Sequence, residues 1–156
     1  MGTEIVMDDR RIGRIAFELL SKVKRGIEGR KDLMGGVRTR CRSMYSFFYY
    51  SGSLPTLAFI YSKAGEDLIM KTLERMKEDT FVPPPEKDEV MSYAIYGSLI
   101  CCFLNEMGMN VDGSLSSIIK ALENKDKREK SYIIDHQILR FARWLRRFGE
   151  SLFTGG

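Results

Sequence analysis

His136, Arg140, Arg143 and Arg147 recur at i, i+4, i+7 and i+11, a spacing that sets four basic side chains on one side of a helix. Interleaved with them, Ile134, Ile138, Phe141, Leu145, Phe148 and Leu152 recur at i, i+4, i+7, i+11, i+14 and i+18. At roughly 100° per residue the two stripes lie almost opposite each other. The apolar stripe can enter a core while the guanidinium groups stay in water, where their forked N–H donors match phosphate oxygens. The chemistry on offer is binding of a polyanion. The plainer alternative is that the arginines only keep an amphipathic helix soluble.

A second basic series stands earlier in the chain. Val37, Cys41, Met44 and Phe48 form an apolar stripe, and Arg38, Arg42, Tyr45 and Tyr49 run beside it, about 100° round the axis. Charge alternating with aromatic rings can grip a single strand by phosphate contact and base stacking. Equally, tyrosines at such positions can cover the edge of a core with their hydroxyls in water.

Catalytic patterns are absent. A Ser/His/Asp arrangement has to use His136, the one histidine, which sits among arginines, while Asp135 next to it points elsewhere on the helix. A metal bound by His136 with Cys101 and Cys102 needs a third helix to converge on them. Gly26 to Gly36 is glycine-rich but lacks a preceding strand and a phosphate-binding lysine. Asp88 and Glu89 suit the start of a helix. The expectation is no catalytic residue, no cofactor and no metal.

The elements that must hold the basic stripes are all helical. Asp8 or Asp9 caps a helix over 10–27 with Ile12, Ala16, Leu19, Val23 and Ile27 inward. Gly35-Gly36 predicts a loop carrying Arg30 and Lys31, followed by a helix over 37–50. Ser53 and Pro55 read as the cap and first turn of a third helix, apolar on most sides and hence central. Further helices are predicted over 66–78, 86–107 and 112–123, with Pro83-Pro84-Pro85 as a stiff connector. A charged stretch over 125–130 then precedes the last helix, and Gly155-Gly156 end the chain as a flexible tail. Trp144, Phe141, Leu145 and Phe148 are expected to pack against the helices containing Phe59 and Ile100. The prediction is an all-α, single-domain bundle of six or seven helices over residues 1–156.

The net charge of +4 conceals an asymmetry: residues 10–42 carry a net +8 and residues 66–129 a net −5. Such a chain can meet a polyanion on one side and a basic neighbour, or a second copy head to tail, on the other. Cys41, Cys101 and Cys102 form no metal spacing, and the odd count predicts a reducing, cytoplasmic setting. The uncharged run over 90–105 contains Ser92, Gly97 and Ser98 and reads as a buried helix, not a membrane span. Glu4, Asp8 and Asp9 do not suit a signal peptide.

Two segments carry a family resemblance. Over 49–63, Gly52 leads into Pro55, Thr56, Leu57, Ala58 and Phe59 and then Ser62-Lys63; over 143–151, Trp144-Leu145-Arg146-Arg147-Phe148 closes the chain's last helix. Together they resemble the small helical subunit of type III-B CRISPR RNA-guided (Cmr) effector complexes. Where that family usually has leucine after the glycine, this chain has Ser53; Gln137 replaces a frequent glutamate that could pair with a neighbouring arginine, and Gly149 a common alanine. The resemblance implies a non-catalytic subunit in antiviral defence. Its copies stack into a minor filament beside other subunits, with basic surfaces along crRNA and target RNA and no membrane partner. Arg38, Arg42, Arg140, Arg143 and Arg147 are then the candidate RNA contacts. The alternatives are the small subunit of a type III-A complex, a helical DNA-binding regulator and a protein-interaction adaptor.

Overall fold

Apolar residues three and four apart recur through most of the chain, and each run folds into a helix that buries that face. The computed structural model describes residues 6–123 and 128–153. Among them run α1 (Asp9–Ile27), α2 (Lys31–Ser51), α3 (Ser53–Ala64), α4 (Glu66–Met76), α5 (Asp88–Glu106), α6 (Leu115–Glu123) and α7 (Arg128–Leu152), with no strand. The all-α prediction holds. Asp8 caps α1, its carboxylate accepting the Arg11 N–H at 2.9 Å.

The centre is α5, in which every residue from Met91 to Cys101 is buried. Its all-round apolarity is what a helix surrounded by others requires. Helices α2, α3 and α4 pack round it, while α7 lies against α1 and α2, so α2 belongs to both groups. Phe141 of α7 reaches the central helix, lying flat on Phe103 with ring centroids 4.3 Å apart. The triple proline falls in the connector between α4 and α5, as predicted, with Phe81 and Pro84 buried.

Several expectations need correction. Gly35 and Gly36 are not in a loop: α2 starts at Lys31 and runs through both. A Cβ on Gly36 would stand 3.0 Å from the Ser92 Cβ, so the glycine marks a close crossing with α5, not a break. Ser53 is not the cap of α3. Gly52, at φ 85°, holds that position and accepts the Thr56 hydroxyl at 2.7 Å, while Ser53 is the buried first residue of the helix. Pro55 does lie in the first turn. Nor is α3 central, since it buries Leu57, Ile60 and Tyr61 but exposes Leu54 and Ala58.

Trp144 turns away from the predicted neighbours. Its indole lies over Gly13 of α1, and its N–H donates to the Asp9 carboxylate at 3.1 Å. Phe148 follows it, meeting Phe17 of α1 edge to face at 5.4 Å. Gln137 turns inward. It is buried and accepts the Met7 N–H at 2.9 Å, tying the start of the described chain to α7. Residues 125–127 of the predicted charged stretch and the Gly155-Gly156 tail lie outside the described residues.

Candidate nucleic-acid interface

The site begins with a close helix contact. A Cβ on Gly149 of α7 would stand 2.9 Å from the Cys41 Cβ of α2, so only a residue without a side chain lets the two helices meet there. That approach brings the basic edge of α2 beside the basic edge of α7. Tyr45, Arg143, Arg146, Arg147 and Glu150 line a shallow open groove at the junction. The Arg146 guanidinium lies over the Tyr45 ring at 5.5 Å, and that of Arg147 over Trp144 at 5.4 Å. These rings hold two flexible side chains near the groove without neutralising them.

Arg38 and Arg42 are held differently. Both grip Glu150, Arg38 through one carboxylate oxygen at 2.7 Å and Arg42 through the other, also at 2.7 Å. A second Arg42 donor, Nε, reaches the same oxygen at 2.8 Å. Side-chain exposures of 35%, 53% and 38% for Arg38, Arg42 and Glu150 leave the cluster in reach of solvent and of a ligand. Hydrogen bonds from Arg42, then Arg38, hold the Glu150 carboxyl below the usual carboxylate range.

The structure thus brings together four of the five candidate arginines. Arg143 and Arg147 line the groove, Arg38 and Arg42 stand at its rim through Glu150, and half-buried Arg140 does not line it. Arg146 and Glu150 were missed by sequence reasoning. Arg146 sits off the main stripe but beside Arg143 and Arg147, a signal that a wider face would have caught. Glu150 meets arginines 108 and 112 positions away in sequence, and no local spacing predicts that. Of the tyrosines, Tyr45 packs on the core edge, whereas Tyr49 and Tyr50 are 60% and 83% exposed, with rings 5.0 Å apart. Their faces are open to stacking.

Other chemistry finds little footing among the described residues. No group of three or more His, Cys, Asp or Glu side chains is placed to hold a metal ion. Burial pushes the Cys41 and Cys101 thiols up to about 12 and that of Cys102 to about 11, away from the thiolate a nucleophile needs. His136 is exposed on α7. No described helix is long and apolar enough to cross a membrane.

Comparison with known proteins bears on the family and the fold. A chain in the cryo-EM structure of the type III-B Cmr-beta bound to cognate target RNA and AMPPnP is 25% identical, with a TM-score of 0.71 over 92% of this chain and 97% of that one. A chain in the type III-B Cmr-beta complex bound to non-cognate target RNA shares the fold at 22% identity, with a TM-score of 0.74 over 94% and 96%. A search of curated proteins finds no match. The family model for CRISPR-associated protein (Cas_Cmr5) matches residues 11–152, which include both segments that carry the resemblance. By that match, which covers most of the chain, it belongs to the Cas_Cmr5 family of CRISPR-associated proteins.

Proposed function

We propose that the chain is a non-catalytic structural subunit of a cytoplasmic type III-B CRISPR effector complex, where it contacts RNA through the groove between α2 and α7. The observation that carries this reading is the convergence of two basic helix edges on one solvent-open groove. Family membership and likeness to a chain of an RNA-bound Cmr complex support it. The partners are other subunits, crRNA or target RNA, and further copies of the chain in a minor filament. Acidic residues over 66–129 suit contact with the basic surface of a neighbouring copy.

Fluorescence anisotropy with labelled single-stranded RNA tests the reading. Binding should be weak, with little sequence preference. If about four arginines touch phosphates, log affinity should fall against log salt with a slope of roughly −3. Replacing Arg140, Arg143 and Arg147 together by alanine should flatten that slope and leave the helical fold intact. An unchanged slope in a folded variant would show that this basic ridge is only a solvated face, whereas salt-insensitive assembly without any RNA affinity would favour a protein-interaction adaptor. Incubation of RNA with the isolated protein should yield no cleavage, with or without divalent metal.

A further inference from the structure

Two guanidinium groups converging on one carboxylate, each at 2.7 Å, reproduce the arrangement by which arginines hold a phosphate. Here the anion is part of the chain. Glu150 also lines the groove with Arg143, Arg146 and Arg147, so a strand lying in that groove brings its backbone phosphates up to the same carboxylate. Like charges then compete for one pair of donors.

We propose that Glu150 is an internal competitor for the RNA backbone, occupying Arg38 and Arg42 until a phosphate displaces it. This rests on the RNA-binding reading of the groove. In the unbound protein the carboxylate neutralises one of two neighbouring guanidinium groups and joins α2 to α7. On binding, a phosphate takes over both arginines and Glu150 swings into solvent, which its 38% side-chain exposure permits. The groove is thereby kept weak for an isolated strand. It engages firmly where neighbouring subunits hold the strand in place.

The test is RNA affinity for the full-length wild type, Glu150→Gln and Glu150→Asp, using a labelled oligouridine and circular dichroism to verify folding. Glu150→Gln keeps the side chain's size but removes the charge. It should bind about five- to tenfold tighter at low salt, because the phosphate no longer has to displace a carboxylate from the two arginines. A tie between helices with no competing role would, on losing its charge, leave binding equal or weaker. Glu150→Asp, too short to hold both arginines, should lie between the two. Equal or weaker binding by folded Glu150→Gln overturns the proposal. Should that variant fail to fold, Glu150→Asp decides by the same criterion. If neither wild type nor variant binds RNA, the reading of the groove falls, and this inference with it; wild-type binding unaffected by the substitutions overturns this inference alone.

Discussion

Phe141 has no exposed surface, and its ring lies 5° from parallel to that of Phe103. Truncation to alanine leaves a cavity that rigid helices on either side cannot close, and should cost ~3–5 kcal/mol by urea denaturation. Gly149→Ala errs in the opposite direction. Its new Cβ would meet the Cys41 Cβ at 2.9 Å, and since neither atom ends a flexible chain, α7 must shift, at about 1–3 kcal/mol in the same measurement. Asp112 supplies a pH dependence. Hydrogen bonds from Ser114, and then Ser117, hold its carboxyl down at about 2. A depressed folded value means that the stabilisation is fully present above the ordinary carboxylate pKa and is lost as pH falls toward 2. Protection of the amides at the start of α6, taken relative to their intrinsic exchange rate at each pH, should therefore fall on acidification, and in Asp112→Ala it should be low at every pH. At this scale the sequence foretold the inward direction of Phe141 from its period alone. Gln137 and Glu150 were beyond it, because their partners, Met7 and the two α2 arginines, are more than 100 residues away.

Whole helices were more legible than their ends or their neighbours. The apolar stripe of α7 was read correctly because burial of Ile134, Ile138, Phe141 and Leu145 needs nothing but helical period. The start of α2 was misplaced because paired glycines ordinarily break helices, and here Gly36 serves contact with another helix that the local sequence does not reveal. The same blindness to neighbours put Trp144 on the wrong partner. It also affects the basic edge, where helical spacing groups Arg140 with Arg143 and Arg147 but the groove takes Arg146 instead. Single replacements separate the two. Arg146→Ala should weaken RNA binding more than Arg140→Ala, as measured by anisotropy at low salt.

For the molecule as a whole, composition predicted the asymmetry of charge but not how the helices are arranged. Polar surfaces of opposite sign attract weakly and are screened within about 10 Å at 0.1 M salt. Isolated protein should thus sediment as a monomer or weakly associating species, and salt should abolish any association; a salt-resistant dimer would contradict this. The placement of α7 has one more consequence. Of the described helices it is synthesised last, yet α1 rests mainly on it and α2 leans on it over much of its length. About 100 residues separate the end of α1 from the start of α7, which at ordinary ribosomal rates is a delay on the order of 10 s. Throughout that interval the faces of α1 and α2 that α7 will cover are open to chaperones or to aggregation. A chain truncated before Arg128 should express as insoluble protein even though it keeps the central helix. Folding of α1 and α2 is completed only when α7 leaves the ribosome.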